Sequence, residues 1–448
     1  MIKIITYGTF DLFHQGHINL LKRAKELGDY LIVGVTSDSY DRERGKLNVQ
    51  ESLVKRIQNI KDSGLADEII IEEYQGQKVV DIEKYGIDKF VIGSDWIGKF
   101  DYLKQFCEVI YLERTKGISS TELRNQKNNI LKIGIIGSGR IAKRFVKEAR
   151  YVSGVNIEGV LSRNEENCKK FAEENELNFY SIDYDEFIKK VEAVYIATPH
   201  KTHYEYIKKS LELGKHVLCE KPMVLSKEEA IELYDLAREK QLVLLEAIKT
   251  AYCPAYEKMM SIAKSGIIGE IKDIEACFTK LISGDIRELE ISEAGGSVTE
   301  LATYPLLPII ELLGKPNDME FYSYIDENRN IDLYTKIILK YSKGLTAIAK
   351  VGLGVKSEGE LIISGTRGYI YVPAPWWKTE YFEVRFEDST KNKKYFYKFE
   401  EDGLRYELAE FLKLINEKKF ESYKLKKEIS IEIILIIDKF LQGINKKI

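Results

Sequence analysis

The sequence predicts an α/β protein with two successive parallel sheets, each feeding a glycine-bearing turn that opens a helix. Three observations carry this. An apolar strand, Ile2 to Thr6, runs into Tyr7-Gly8-Thr9-Phe10-Asp11-Leu12-Phe13-His14-Gln15-Gly16-His17 and leaves through a helix with Ile18, Leu21, Ala24 and Leu27 on one face. A second apolar strand, Lys132 to Ile136, runs into Gly137-Ser138-Gly139-Arg140-Ile141-Ala142. Apolar strands alternate with amphipathic helices around both turns, the pattern of a parallel sheet covered on its two faces.

The 448 residues suffice for two or three domains, and 44% hydrophobic with 31% charged residues is a globular composition. The formal charge is −3, and residues 1–128 hold 19 basic against 20 acidic side chains. Neither part carries the basic excess of a nucleic-acid binder. Cys107, Cys168, Cys219, Cys253 and Cys277 are scattered. They signal no zinc ribbon or redox pair and fit a reducing cytoplasm. No side-chain cluster with metal-ligand spacing stands out. The chain opens on a core strand rather than a leader, and no apolar run approaches the roughly 18–20 residues of a membrane span. The expectation is a cytoplasmic protein with small-molecule partners and neither nucleic acid nor membrane.

In the first third, strands are expected at Ile2–Thr6, Tyr30–Thr36, Glu68–Ile71, Lys89–Ile92 and Val109–Leu112. Helices are expected at Ile18–Leu27, Gln50–Asp62 and Val79–Tyr85. Ligands of such sheets bind beyond the carboxyl ends of the strands. The histidine turn falls there, as do Ser37-Asp38, Gly93-Ser94-Asp95-Trp96 and Arg114-Thr115-Lys116-Gly117-Ile118-Ser119-Ser120-Thr121. Gly16 beside a helix start lets a phosphate approach free backbone N–H groups, and two imidazoles can donate to a phosphate whose charge shifts during transfer. The alternative is a turn with two surface histidines. The Arg114–Thr121 stretch offers a guanidinium, a lysine and hydroxyls that suit a triphosphate. Ser119 or Ser120 alone would equally serve as a helix cap.

Gly8-Thr9-Phe10-Asp11 with His14-x-Gly16-His17, and Arg114-Thr115-x-Gly117-Ile118-Ser119-Ser120-Thr121, resemble the two signatures of the cytidylyltransferases, over residues 1 to about 125. The resemblance implies a nucleotidyltransferase fold that moves a cytidylyl group from CTP to an alcohol phosphate, with Mg²⁺ bound to CTP. It implies that His14 and His17 contact the transferring phosphate. Thr9, Phe10, Lys46, Asp95, Arg114, Thr115, Gly117, Ile118, Ser119, Ser120 and Thr121 would bind the nucleotide. Lys46 also reads as a solvated charge. Where the family has a second acidic residue before Asp95-Trp96, this chain has Ser94. The histidine signature is shared with adenylyl-transferring relatives.

The polar stretch Asn125–Asn129 reads as a linker. Beyond it, Gly137-x-Gly139-x-x-Ala142 at a strand–helix junction is the dinucleotide fingerprint of a Rossmann domain. Gly137 allows the tight turn, Gly139 lets a pyrophosphate touch backbone, and Ala142 keeps the helix close to the sheet. The next strand, Ile157–Leu161, ends in Ser162-Arg163 instead of the ribose-binding acid expected roughly 20 residues on. A hydroxyl with an arginine suits a 2′-phosphate, so NADP is favoured over NAD; Arg163 would also stack on the adenine of either. Two further strands enter Ala197-Thr198-Pro199-His200 and Cys219-Glu220-Lys221-Pro222. Lys221 beside cofactor and carbonyl would donate a proton as hydride arrives. By itself it would be an ordinary surface charge.

Gly137 to Ala142, Ala197-Thr198-Pro199 and Glu220-Lys221-Pro222 resemble the glucose–fructose oxidoreductase and inositol dehydrogenase superfamily, from 131 to 448. The resemblance implies a Rossmann half followed by an α/β half with a large, mostly antiparallel sheet, and assembly as a homo-oligomer. Asp273–Thr279, Thr335–Leu339, Leu345–Val351, Glu360–Ser364 and Tyr369–Val372 suit its strands, with helices at Leu404–Asn416 and Ile429–Leu441. Its implied cofactor contacts are Gly137, Ser138, Gly139, Arg140, Ile141, Ser162, Arg163, Thr198, Pro199, His203, Glu220 and Lys221. For His200 and His203, positional roles rank above catalytic ones. The family's Gly-Gly-x-x-x-Asp-x-Gly-x-His/Tyr segment corresponds to Gly295 through Tyr304, with Glu300 for Asp and Ala302 for Gly. Tyr304 would share proton transfer, bind substrate hydroxyls or be a buried structural tyrosine. Trp376-Trp377 reads as core, substrate wall or oligomer contact.

The expected domains are 1–128, 129–250 and 251–448. The expected function is bifunctional: reduction of a keto- or aldo-sugar phosphate to an alditol phosphate, then cytidylyl transfer giving a CDP-alditol. The alternative is a cytidylyltransferase with a non-catalytic NADP-binding scaffold.

Overall fold

The structure is a computed structural model that describes residues 1–47, 49–113, 130–284, 286–399, 401–443 and 446–447. Its contacts divide into two units, Met1–Ile130 with Arg150–Gly154, and Leu131–Ala149 with Val155–Ile448.

In the first unit β1 (Lys3–Gly8), β2 (Tyr30–Thr36), β3 (Glu68–Glu72), β4 (Lys89–Gly93) and β5 (Glu108–Leu112) form a parallel sheet in the order β3-β2-β1-β4-β5. Successive strand residues serve opposite faces. Ile4 packs with Leu21, Leu31 and Val33, whereas Ile5 packs with Ile32, Phe90 and Leu103. The first helix starts earlier than expected, at Gln15–Lys25, because His14 caps it: its Nδ1 accepts the Gly16 N–H at 3.0 Å. The helix expected from Gln50 starts instead at Leu53 (Leu53–Ser63), with Ser52 as its cap. The amides of Gln50 and Glu51 are already held by the Asp11 carboxylate at 3.1 and 2.9 Å. An unforeseen helix, Asp38–Glu43, is capped by Ser37, which accepts from the Tyr40 N–H at 3.1 Å.

The second unit opens with six parallel strands: β6 (Leu131–Ile136), β7 (Val155–Leu161), β8 (Phe179–Ser181), β9 (Ala193–Ile196), β10 (His216–Glu220) and β11 (Leu244–Ala247). Their order is β11-β10-β9-β6-β7-β8. Helix Arg140–Ala149 lays Ala142, Phe145, Val146 and Ala149 on this sheet, and Phe145 stacks on Tyr195 at 3.7 Å. β10 stops at Glu220, so Lys221 and Pro222 lie past the strand end rather than inside it.

A nine-stranded sheet follows: β12 (Ile271–Thr279), β13 (Asp318–Asp326), β14 (Ile331–Lys340), β15 (Thr346–Gly352), β16 (Leu361–Gly365), β17 (Gly368–Val372), β18 (Tyr381–Phe386), β19 (Lys393–Phe396) and β20 (Lys446–Lys447). The order is β19-β18-β17-β16-β12-β15-β14-β13-β20, antiparallel except at β12–β15 and β13–β20. Helices Leu404–Glu417 and Lys427–Leu441 lie where amphipathic segments were expected. Among the described residues no helix is long and apolar enough to cross a membrane.

Candidate functional site

In the first unit the chain order reverses between β1 and β4, the switch point where such sheets leave a crevice at the strands' carboxyl ends. The histidine turn follows β1, and the short turn Ser94–Trp96 follows β4 with Asp95 exposed. The His14 N–H points to Nδ1 of His17 at 3.4 Å, and the two rings stack with centroids 3.9 Å apart. Because Nδ1 of each ring accepts, a neutral ring carries its proton on Nε2. Phe10 and Phe13 pack edge-on and face-on against His17 at 5.4 and 5.6 Å. Phe10 and Leu12 hold φ of +54° and +48°, a left-handed backbone that side chains other than glycine adopt at a cost of about 1–3 kcal/mol.

A buried ionic scaffold holds this turn. Arg56, fully buried, donates to the main-chain oxygens of Thr9 and Thr36 at 2.7 and 2.9 Å and to Asp38 at 2.5 Å. Asp41 accepts from Thr36 and from Arg44. Thr9 Oγ1 receives Lys46 Nζ at 2.7 Å and Arg44 at 2.9 Å. Lys46 is thereby brought to the histidine turn. Asp38 was expected at this edge of the sheet, whereas Asp41 and Arg56 were not singled out in the sequence. Arg56 occupies a helical position shared in burial only with Ile60, where an apolar side chain is the usual tenant. Arg114, Thr115, Gly117, Ile118, Ser119, Ser120 and Thr121 lie outside the described residues.

In the second unit a cavity of about 670 Å³ is lined by Gly137 to Ile141, Ser162, Arg163, Thr198, Pro199, Glu220, Lys221 and Tyr304, among others. The Gly137 turn fits a dinucleotide. Gly137 has φ +108°, and a Cβ there would meet the Ala197 carbonyl oxygen at 2.5 Å, whereas Gly139 faces open space. Ser138 and Ser162 join their hydroxyls at 3.1 Å beside the exposed Arg163, and no acid stands at that strand end.

Lys221 Nζ donates to the Glu300 main-chain oxygen at 2.8 Å and lies 5.4 Å from the centre of the Tyr304 ring. Glu300 and Tyr304, four residues apart, share one face across the consecutive helices Ser297–Leu301 and Thr303–Leu313. The Glu300 carboxylate meets His200 Nε2 at 2.9 Å and Arg287 at 2.8 Å. Burial would raise this carboxyl, yet the hydrogen bond and charge of His200, with the charges of Lys221 and Arg287, hold it at about 2. Burial and then the neighbouring carboxylates Glu220 and Glu407 push the Tyr304 phenol well above its usual range, so it stays protonated. Glu220 accepts from Tyr195 at 2.5 Å and from the Lys221 N–H at 3.3 Å.

His203, expected among cofactor contacts, is buried, and its described hydrogen bonds go to the chain itself. Its ring nitrogens face the Pro222 and Thr198 carbonyls at 3.0 and 2.8 Å. Burial and the nearby His200 outweigh those carbonyls and lower it to about 4, so the ring is neutral at pH 7 with a single N–H shared between the two contacts. It braces the turns that follow β9 and β10. Trp376 is core, fully buried with its indole N–H on the Cys277 oxygen at 2.9 Å. Trp377 backs the cavity wall, stacked on Phe278 at 3.6 Å. Among the described residues no group of three acidic, histidine or cysteine side chains is arranged to hold a metal ion.

Residues 5–126 match the family described as cytidylyltransferase-like, and residues 131–247 match the oxidoreductase family with an NAD-binding Rossmann fold (GFO_IDH_MocA). Glycerol-3-phosphate cytidylyltransferase from Bacillus spizizenii is 53% identical over 124 residues, 28% of this chain and 95% of that protein. Trans-1,2-dihydrobenzene-1,2-diol dehydrogenase from Sus scrofa is 30% identical over 253 residues, 55% of this chain and 75% of that protein. A solved 3-ketoreductase from Actinomadura kijaniata, in complex with NADP and TDP-benzene, superposes with a TM-score of 0.64 at 22% identity, over 71% of this chain and 99% of that one. At that identity the likeness speaks for the fold of the second unit.

Proposed function

Because the chain belongs to the cytidylyltransferase-like family at its N-terminus and to the Gfo/Idh/MocA oxidoreductase family beyond it, we propose that one polypeptide performs two consecutive reactions. The oxidoreductase part reduces a keto- or aldo-sugar phosphate with NADPH to an alditol phosphate. The transferase part joins that product to CTP, giving a CDP-alditol of the CDP-glycerol or CDP-ribitol type and pyrophosphate. On this reading the domains are 1–128, 129–250 and 251–448. The observation that carries the proposal is the pairing of two glycine-bearing strand–helix turns, each at the carboxyl edge of its own parallel sheet.

In the transferase part, an oxygen of the acceptor phosphate attacks the α-phosphorus of CTP, and the bond from that phosphorus to the bridging oxygen of pyrophosphate breaks. Catalysis is positioning and charge neutralisation. The Nε2–H groups of His14 and His17 donate to the transferring phosphate, and Lys46, steadied by Thr9, meets the nucleotide's charge. Mg²⁺ would accompany CTP and offset the charge of its phosphates.

In the oxidoreductase part, Gly137, Gly139 and the helix start behind them would hold the pyrophosphate of a nicotinamide dinucleotide, which would supply hydride to the substrate carbonyl. Ser162 and Arg163 favour the 2′-phosphate of NADP. Lys221 spends one ammonium proton on the Glu300 oxygen and keeps two donors, one of which protonates the carbonyl oxygen as it gains charge. Tyr304, its phenol fixed in the neutral form, orients a substrate hydroxyl rather than releasing a proton.

The test is a double dissociation in the full chain. His17→Ala should abolish pyrophosphate release from CTP while NADPH oxidation continues, and Lys221→Ala should do the reverse. Loss of both activities in each variant refutes independent sites. Saturable NADPH binding without oxidation, across a panel of carbonyl phosphates, favours a scaffold role for the second part.

A further inference from the structure

The cations lining the second unit's cavity do not all have a counter-charge. Arg140 faces Glu288 at 3.3 Å, Arg144 and Lys249 share Asp402 at 3.3 and 3.6 Å, and Arg287 faces Glu300 at 2.8 Å. Among the described residues no carboxylate lies in ion-pair reach of Arg163, Lys221 or Lys280, which line the same cavity. Arg163 stands at the end of β7, beside the dinucleotide turn, and Lys221 stands at the reacting centre. Lys280 has no place in either role.

Its position follows from the strand that carries it. Lys280 is the first residue beyond β12, and its N–H continues the ladder to the Gly352 oxygen at 2.8 Å. Alternation therefore sends Lys280 and Phe278 to one face, while Thr279 is buried on the other. Phe278 packs against Tyr304 at 5.1 Å and against Trp377 at 3.6 Å. The cavity thus has an aromatic wall beside Lys221, and an exposed ammonium begins about 7 Å further along the strand.

A neutral polyol offers such a cation hydroxyl oxygens but no counter-charge. A phosphate monoester carries nearly two negative charges at neutral pH and takes charge-assisted hydrogen bonds from an ammonium. We propose that Lys280 is a specificity-determining residue that holds the phosphate monoester shared by the sugar-phosphate substrate and its alditol product, so that reduction precedes cytidylyl transfer. The inference rests on the two-reaction reading above. Once the cytidylyl group is attached, that phosphate is part of a diphosphate bridge and no longer offers a terminal monoester face.

The experiment follows NADP⁺ reduction by the full chain with alditol phosphates of three to five carbons, the same alditols without phosphate, and a CDP-alditol. The parent should prefer the phosphate to the free alditol. Lys280→Ala should lower that preference at least about tenfold through KM, with kcat held within about threefold, and Lys280→Arg should restore most of it. An unchanged preference in Lys280→Ala overturns the role of Lys280 and leaves the two activities standing. Faster turnover of the CDP-alditol than of the alditol phosphate in the parent overturns the monoester assignment and reverses the order of reactions. NADP⁺ reduction with none of the three classes overturns the two-reaction reading, and the inference with it.

Discussion

Replacing Glu300 with glutamine removes one buried charge with almost no change of shape. The carboxyl sits at about 2 in the folded chain against 4.5 in the open, a gap of about 3 kcal/mol in favour of the folded carboxylate. The folded value lies below the unfolded one. The stabilisation is therefore complete above the unfolded value and fades as pH falls toward the folded one. At pH 7 Glu300→Gln should lose about 2–3 kcal/mol locally, since Arg287 and His200 keep an amide oxygen but lose its charge. Amide hydrogen exchange of residues 297–313 in the intact chain reads this as a drop in the opening free energy. Lys221 should keep its anchor, because it donates to the main-chain oxygen of residue 300 and not to the carboxylate. A change of less than about 0.5 kcal/mol in the opening free energy at pH 7, the range of an ordinary surface substitution, would show that the buried charge contributes nothing.

Gly137→Ala should cost at least about a hundredfold in NADPH affinity, because the new Cβ meets the Ala197 oxygen at 2.5 Å; isothermal titration checks this, with pyrophosphate release from CTP unaffected. Arg56→Ala takes a buried cation from the Thr9 and Thr36 carbonyls and from the buried Asp41 carboxylate 3.6 Å away, so the first unit should lose about 3–5 kcal/mol in urea unfolding. Arg163→Ala should reduce the ratio of NADPH to NADH efficiency about tenfold or more in steady-state assays, since a guanidinium–phosphate contact is a strong charge-assisted pair.

What the sequence disclosed, and what it withheld, divides along physical lines. Strands buried on both faces announce themselves as apolar runs, which is why Tyr30–Thr36 and the strand before Gly137 were legible to within a residue. β13, β18 and β19 were missed: Asp318–Asp326 and Tyr381–Phe386 interleave acids with aromatics, and Lys393–Phe396 is a short edge segment with two lysines. The glycine and histidine turns were legible because their chemistry is written in adjacent residues. Arg56 under Thr9, and Arg287 and His200 against Glu300, were not, since each pair is joined only by the fold. Glu300 looked like a departure from a family pattern. Its contacts show a longer acid reaching a histidine one hundred residues away in sequence.

The stacking of Trp377 on Phe278 has an optical consequence. Indole emission overlaps the absorption of reduced nicotinamide, and Phe278, on which this indole stacks, lines the cavity where that ring is proposed to lie. With only three tryptophans in the chain, and Trp376 sealed in the core beside it, exchanging Trp96 for phenylalanine leaves an intrinsic emission signal from one end of the cavity alone. Filling of that cavity can then be followed by quenching in real time, with no label attached and no catalytic turnover required.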